Sequence, residues 1–129
     1  MYDLPESFDP SVFVGACLEM ISFGVGSIHL NFNLQSGAGP GERKEAAVVS
    51  YSGIALDLGG ESIPIEIGAY ADIARLGELL NQDVVGAVLV GPQGFRLMFE
   101  RGASLLLSGD ESGFESYAIY LPGQREIDV

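Results

Sequence analysis

Apolar and polar residues alternate along much of the chain, in short runs that glycine-rich turns separate. In the second half, FRLMFE at 95–100 and REIDV at 125–129 both alternate in this way. Alternation with a period of two is typical of strands that bury one face. Arg101-Gly102 and Pro122-Gly123 stand between alternating runs and indicate hairpin turns. The pattern predicts a meander of five strands, at 84–90, 95–100, 103–108, 114–121 and 125–129.

A helix is predicted ahead of this meander, within AYADIARLGELLNQ at 69–82. Its apolar residues recur at helical spacing, so we expect them on one buried face. These residues are Ile73, Leu76, Leu79 and Leu80. Asp72 suits the first turn of the helix and Asn81 suits its end. In the first half, PSVFVGACLEM from Pro10 predicts a counterpart, with Asp9 as the capping residue and Pro10 at the first helical position.

The two halves also resemble each other in sequence. ISFGVGSIHLNF at 21–32 aligns without a gap to VLVGPQGFRLMF at 88–99, so that Leu30 matches Leu97 and Phe32 matches Phe99. A second block, IALDLGGESIPIEI at 54–67, matches YAIYLPGQREIDV at 117–129 with one residue inserted. Two blocks in the same order indicate an internal repeat.

These observations predict a mainly β (α+β) fold that is internally duplicated. Residues 1–68 form the first repeat and residues 69–129 the second. Each repeat is expected to be a short helix followed by about five short antiparallel strands, in a strongly bent sheet or a small barrel. We expect both repeats to share one core and form one compact unit. The edge strands of such sheets need a partner, so a homo-oligomer formed through these edges is expected.

The stretch GAGPGERK at 37–44 is the one candidate phosphate loop. A P-loop needs Lys and then Ser or Thr directly after its last glycine, but Glu42 follows Gly41 here. The dinucleotide fingerprint fails at the same position. In the repeat alignment, the first half has ten more residues than the second between these strands. We therefore interpret residues 35–45 as an expanded hairpin loop, in which Arg43 and Lys44 form the one adjacent basic pair.

The charge of the chain excludes several partners. The 18 acidic and 6 basic residues give a net charge of −12. Such a charge repels a phosphate backbone, and the basic residues form no stripe, so we expect neither nucleic acid nor an anionic membrane as partner. The acidic N-terminus is unlike a secretory signal, and one cysteine suits a reducing compartment. We therefore expect a cytoplasmic protein.

No catalytic constellation is found in the sequence, and no cofactor or metal is expected. His29 and Asn31 alternate with Ile28, Leu30 and Phe32, so we expect His29 to be exposed and the other face, with Phe32 and its match Phe99, to lie in the core. Cys17 is expected to be a buried, inert thiol in the first helix. The segment GDESGFE contains Asp110, Glu111 and Glu115, but it lacks the ligand spacing of a calcium loop. These three acids, with Arg43 and Lys44, are the candidate interaction residues.

FERGASLLL at 99–107 and FESYAIYL at 114–121 resemble a group of small, stand-alone bacterial β-rich domains of unknown function. Their shared pattern is Phe-x-x-Gly, an apolar strand, and an acidic loop that closes in Glu-Ser-Tyr. This resemblance covers roughly the last 50 residues and implies a β-rich domain, with no activity and no functional residues. The predicted helix and bent strands also resemble, in architecture alone, the small barrels of Sm-like RNA-binding proteins.

Three functions are compatible with these observations. The first is a non-catalytic protein-interaction module, of inhibitor, immunity-protein or adaptor type, whose acidic surface suits a basic protein partner. The second is a small-molecule binding protein, or a weak enzyme, with a pocket between the two halves. The third is an Sm-like nucleic-acid binder, which the net charge disfavours. We expect the first.

Overall fold

The computed structural model describes residues 2–34, 44–109 and 115–129. Ten strands dominate this part of the chain, as the alternation of apolar residues predicts. In the first half they are β1 (Cys17–Phe23), β2 (Ile28–Leu34), β3 (Lys44–Ser50), β4 (Ile54–Leu58) and β5 (Glu61–Ile65). In the second half they are β6 (Val84–Leu89), β7 (Gly94–Phe99), β8 (Ser104–Ser108), β9 (Tyr117–Tyr120) and β10 (Ile127–Asp128).

These strands form two antiparallel five-stranded sheets, which do not close into a barrel among the described residues. Sheet A has the order β1-β2-β3-β9-β10, and sheet B has the order β5-β4-β8-β7-β6. Each sheet therefore takes three strands from one half of the chain and two from the other. The expectation that each half builds its own sheet or barrel is wrong, because β4 pairs with β8 and β9 pairs with β3 across the halves.

Strands β2 and β3 are antiparallel neighbours, with Leu34 opposite Lys44. Residues 35–43 of the predicted loop lie outside the described residues, and Lys44 and Glu45 belong to β3 itself.

The helix predicted at 69–82 is shorter and tighter than expected. One α-helical turn, α1 (Tyr70–Ile73), continues as a 3₁₀ helix, η2 (Ala74–Leu79). A 3₁₀ helix has three residues per turn, so Ile73, Leu76 and Leu79 stack on one buried face. Leu80 falls off that face and is 41% exposed, against the prediction.

The first predicted helix is also shorter than its sequence pattern indicates. It is a single 3₁₀ turn, η1 (Pro10–Phe13), with Pro10 at its start and the Asp9 carboxylate accepting a hydrogen bond from the Ser11 amide at 2.9 Å. Cys17, expected in this helix, instead begins strand β1 and is half-buried.

The two sheets meet where β1 and β6 begin. Gly15 donates a backbone hydrogen bond to Val84, and Val84 donates one to Ala16. A few residues on, Leu18 and Gln82 are joined in the same way, and Cys17 bridges Asp83. Past this junction, β1 and β6 run on as outer strands of separate sheets.

One apolar core fills the space between the sheets, and both halves contribute to it. Its largest buried side chains include Phe13, Phe32, Phe95, Phe99 and Tyr117. Phe32 and Phe99, predicted as core positions at the ends of matching strands, are 1% and 2% exposed. His29 and Asn31 alternate with the buried positions of β2 and are half-exposed on its other face. The predicted inward and outward faces of β2 are confirmed.

Candidate functional site

A sheet offers its unpaired backbone groups at its edges, so the four outer strands are the first places to look for a binding site. These strands are β1 and β10 in sheet A and β5 and β6 in sheet B. Proteins protect exposed edges with charged side chains, with proline, with bulges, or by keeping the strand short. The four edges differ in how many of these protections they have.

Three edges are protected. Strand β5 has an exposed Glu61 and carries Pro64, which has no N–H to offer a further strand. Strand β10 is two residues long and includes the charged Asp128. Strand β1 exposes Met20 and Phe23, but it has a β-bulge at Glu19, an exposed acid, between Leu18 and Met20.

Strand β6 lacks these protections over most of its length. The run VVGAVLV at 84–90 contains neither a charged residue nor a proline. A bulge at Val85 lies beside the junction with β1, and from Gly86 onward the pairing with β7 is regular. Val85, Val88 and Leu89 are 59%, 47% and 53% exposed, and Val90 directly after the strand is also exposed. Strand β6 is therefore an apolar edge that solvent reaches.

The direction of the backbone groups of β6 follows from its pairing. The amide of Val90 donates to the carbonyl of Gly94 at 2.8 Å, so Val90 faces β7. Because the groups of successive residues point to opposite sides in an antiparallel strand, Val88 also faces β7, while Ala87 and Leu89 face away from the sheet. Among the described residues, the outward amides of Ala87 and Leu89 have no backbone partner.

The outer face of sheet B beside this edge is nearly neutral. Val88 lies opposite Arg96 of β7, which is the nearest charged side chain on the neighbouring strand. Arg96 forms an ion pair with Asp57 at 2.6 Å, and its guanidinium also donates to the Ser104 hydroxyl at 3.0 Å. The charge next to β6 is thus already matched within the chain.

A second feature is a group of carboxylates around Glu115, one of the predicted interaction residues. A hydrogen bond with Asp128 raises the pKa of Glu115 to about 7, with further contributions from burial and from the charges of Asp128 and Glu126. The Oδ1 atom of Asp128 is buried and has no hydrogen-bond partner among the described residues. Two carboxyl groups this close hold one proton between them near neutral pH. Glu115 itself is exposed, and residues 110–114 of the predicted acidic segment lie outside the described residues.

Two tyrosines extend this group. The pKa of Tyr120 is raised by its hydrogen bond with Glu126, by burial, and by the neighbouring Tyr51. The buried Tyr117 on the same strand points the other way, into the core, and its hydroxyl donates to the carbonyl of Gln93 at 2.9 Å. Because Tyr51 and Tyr120 are both exposed, this group forms a polar surface.

The Cys17–His29 pair does not form a catalytic dyad. Cys17 is opposite Asn33 on β2, whereas His29 is opposite Ser22. Four residues of extended chain separate these positions on β2, which is about 13 Å. Burial and the charges of Asp83 and Glu100 raise the pKa of the Cys17 thiol, which disfavours the nucleophilic thiolate.

A cleft of about 400 Å³ lies between residues of the two halves. Its walls include Leu58 and Gly59 from the first half and Glu78, Leu79 and Arg101 from the second. Across the described ranges, no group of three or more His, Cys, Asp or Glu residues is arranged to hold a metal ion. In the same ranges, no helix has the length and apolarity that a membrane span requires.

The predicted interaction residues are only partly described. Arg43, Asp110 and Glu111 lie outside the described residues. Lys44 is the first residue of β3, opposite Leu34, and is half-exposed. Glu115 is the one predicted residue that the structure brings together with other ionisable groups.

Comparison of the chain with known protein families, curated proteins and solved structures gives no match. The resemblance seen in FERGASLLL and FESYAIYL therefore stays a prediction.

Sequence reasoning missed the exposure of β6. A run such as VVGAVLV, apolar at nearly every position, is typical of a strand buried on both faces. The absence of charge and proline was the available signal, because an outer strand with this composition is unprotected. Asp128, the partner of Glu115, was missed because the two residues are far apart in the sequence and meet only when β10 pairs with β9.

Proposed function

We propose that this protein is a non-catalytic protein-interaction module that binds an extended segment of another chain along strand β6. The observation that carries the proposal is the contrast among the four sheet edges, of which β6 alone combines exposed apolar side chains with the absence of charge and proline. An extended segment that pairs with β6 would satisfy the outward groups of Ala87 and Leu89 and cover Val88.

Both the backbone and the side chains of β6 contribute to the affinity for an added strand. Outward amides and carbonyls give an added strand its hydrogen bonds, each worth about 0.5–1.5 kcal/mol after the loss of water. Apolar side chains at alternate positions then decide which segment is accepted. Since Val85, Val88 and Leu89 are apolar, the preferred segment carries apolar residues and no charge at the positions that pair with them.

Away from β6, the acidic surface favours a basic protein as a further partner. With a net charge of −12, the chain attracts basic proteins from a distance and repels acidic ones. The carboxylates of Glu115, Glu126 and Asp128 crowd together, and a nearby Lys or Arg would relieve their mutual repulsion. The same charge argues against nucleic acid and against anionic membranes. A cytoplasmic location is part of this proposal and rests on the single cysteine.

We also propose that the two halves arose by duplication. The strand orders support this. If each strand of sheet A is replaced by its counterpart in the other half, β1-β2-β3-β9-β10 becomes β6-β7-β8-β4-β5, which is the order of sheet B read from its other edge. Both outer hairpins contain a bulge at the same place, after Leu18 and after Val84. Gly15 and Asn81 both have a positive φ angle, and they lie three residues before Leu18 and Val84, respectively. By this register Ile21 corresponds to Ala87, so the gapless alignment to Val88 is displaced by one residue on this strand.

A small-molecule binding protein is the second candidate, and the cleft beside Leu58 and Arg101 favours it. The cleft lies between the halves, where the sequence analysis placed such a pocket. Its one buried polar side chain, Gln82, is already satisfied: its amide donates to the Glu78 carbonyl at 2.7 Å, and its oxygen accepts from the Arg101 amide at 3.4 Å. The side chain of Gln82 thus already has hydrogen-bond partners within the chain, and the interaction module is the better supported function.

Site-specific photo-crosslinking tests the proposed function. A photoreactive amino acid replaces Val88 on β6 or, as a matched control, Ser62 on the protected edge β5, in the cells that make the protein. We expect a crosslinked protein adduct at position 88 that is lost when Leu89→Pro removes an outward amide, and no adduct at position 62. Equal adducts at both positions, or adducts that survive Leu89→Pro, would refute β6 as the binding edge.

A further inference from the structure

The free part of the β6 edge has a definite length. At its start, the backbone groups of Val84 are hydrogen-bonded to Gly15 and Ala16, and Val85 is the extra residue of the β-bulge. At its end, the chain turns into the β6–β7 hairpin after Val90. The part of the edge with no backbone partner among the described residues therefore runs over residues 86–90, and Val88 is its midpoint. The turn η1 packs against β6, yet Val88, Leu89 and Val90 remain exposed.

This midpoint permits a twofold axis. Ala87 and Leu89, whose backbone groups face outward, lie one residue to either side of Val88. If a second copy approaches antiparallel with its Val88 opposite the first, Ala87 of each copy meets Leu89 of the other. Residues that face each other with outward groups exchange both of their hydrogen bonds. A register centred on Val88 therefore uses both outward residues of each copy.

The side chains agree with this register. At the centre, the two Val88 side chains lie on the same outer face in a pair without mutual hydrogen bonds, where side chains approach most closely. Leu89 of one copy is beside Ala87 of the other on the opposite face. These are contacts between apolar side chains that are partly or largely exposed in the single chain.

Charge decides which edge a second copy can use. Two chains of net charge −12 repel each other wherever their carboxylates meet. Residues 84–90 carry no charge, and Arg96 beside them is neutralised by Asp57 at 2.6 Å. The other three edges each present Glu19, Glu61 or Asp128. The β6 edge is thus the edge where two copies can approach. The uncharged apolar segment that this edge accepts is present in the chain itself, at residues 84–90.

We infer, on the basis of the proposed function, that the segment bound by β6 is β6 of a second copy, paired antiparallel about Val88. Pairing joins the two B sheets into one continuous sheet across a symmetric dimer. A single strand pair buries little surface compared with the roughly 1,200–2,000 Å² of a stable interface. The dimer is accordingly weak and depends on protein concentration.

Sedimentation velocity across a concentration series tests this inference. The unmodified protein should shift from monomer to dimer as its concentration rises. Val88→Lys places a positive charge beside its own symmetry mate and should raise the dimer Kd more than tenfold. Ser62→Lys adds the same charge to the protected edge β5. This variant should dimerise like the unmodified protein, or slightly better because the chain is then less negatively charged. A protein that stays monomeric at about 1 mM, or a Val88→Lys variant that dimerises normally, would overturn the inference.

A disulfide test fixes the register and does not depend on affinity. In a Cys17→Ser background, Val88→Cys should form a disulfide-linked dimer under mild oxidation. Paired residues at such a site have Cα atoms about 4.5 Å apart, within the range that a disulfide spans. Val85→Cys is the control and should stay largely monomeric. Equal linkage at 85 and 88 would refute the register, and a heteromeric crosslink at 88 from a monomeric protein would overturn this inference while leaving the proposed function intact.

Discussion

The hairpins β1–β2 and β6–β7 are built alike, yet their outer strands differ in the residue that stands in the bulge. Both contain a bulge at the same place, and both have an outer strand that starts at the shared junction. On β1, the bulge carries Glu19, and the ring of Phe23 stacks on Tyr70 at 5.4 Å. On β6, the bulge carries Val85, and Leu89 is exposed.

This difference shows which positions on the two strands are restricted by packing in the core. Buried positions set the framework, and they are apolar in both hairpins. The outer positions are free of that constraint, and under the proposed function the apolar bulge and strand of β6 lie beside a bound segment. An apolar outer edge is a hazard of aggregation for a protein that leaves it uncovered. The proposed function gives β6 a partner that covers this edge.

The largest expected effect concerns the shared framework beneath the two hairpins. Phe32→Ala and Phe99→Ala each remove a buried ring at the corresponding place, and each should destabilise the fold by about 3–5 kcal/mol. Chemical denaturation should give one cooperative transition for both variants, because both rings belong to one core. Asn31→Ala, on the outer face of β2, should cost far less. Two separate transitions, or a mild Phe32→Ala beside a severe Phe99→Ala, would break the equivalence of the hairpins.

The next effect distinguishes the two sides of β6. Val88→Pro removes an amide that faces β7 and leaves a carbonyl on that strand unpaired, which should cost about 1–3 kcal/mol more than Leu89→Pro. Leu89→Pro removes an amide that faces outward, so its fold should stay near the stability of the unmodified protein. Thermal unfolding of the two variants, measured in dilute solution, provides the comparison. Equal destabilisation would mean that the direction of the β6 backbone groups is misassigned.

The smallest effect concerns the acidic group on sheet A, away from both outer hairpins in the strand order. The pKa of Glu115 is about 7, above the 4.5 of an ordinary glutamate, so the folded state keeps a proton that the unfolded state has released between these pH values. Stability therefore falls as the pH rises from about 4.5 to 7. Glu115→Gln should abolish this contribution, and Asp128→Asn should lower the pKa of Glu115.

Carboxyl titration by NMR measures this pKa directly, and unfolding curves of the Glu115→Gln variant at pH 5 and pH 8 measure its contribution to stability. The variant should gain stability relative to the unmodified protein at pH 8, and little at pH 5. Because Glu115 is exposed, solvent screening keeps the gain small. A Glu115 that titrates at its ordinary value, unaffected by Asp128→Asn, would contradict the shared proton.

The sequence predicted the strands better than it predicted their arrangement. Alternation fixed the faces of β2 and β7, because burial of Leu30 and Leu97 is a local consequence of a period of two. The exchange of β4 and β9 between the sheets was not predictable, since it depends on pairing between distant residues. The 3₁₀ form of η2 had a visible signal, because Ile73, Leu76 and Leu79 are spaced by three.

The candidate site was less accessible to sequence reasoning than the fold. Whether VVGAVLV lies inside a sheet or at its edge depends on which strands pair with it, and composition does not contain that information. The raised pKa of Glu115 depends likewise on Asp128, which reaches it through the pairing of β10 with β9. Both features arise from contacts between residues that are distant in the sequence.

Amide hydrogen exchange at four backbone positions tests most directly whether β6 is a binding edge. Ala87 and Leu89 on β6 correspond by register to Ile21 and Phe23 on β1. The account predicts that the amides of Ala87 and Leu89 exchange rapidly in dilute protein and become protected as the concentration rises. Ile21 and Phe23 should keep the same exchange rates throughout. Unchanged exchange at Ala87 and Leu89 up to about 1 mM, or equal protection at all four positions, would contradict it.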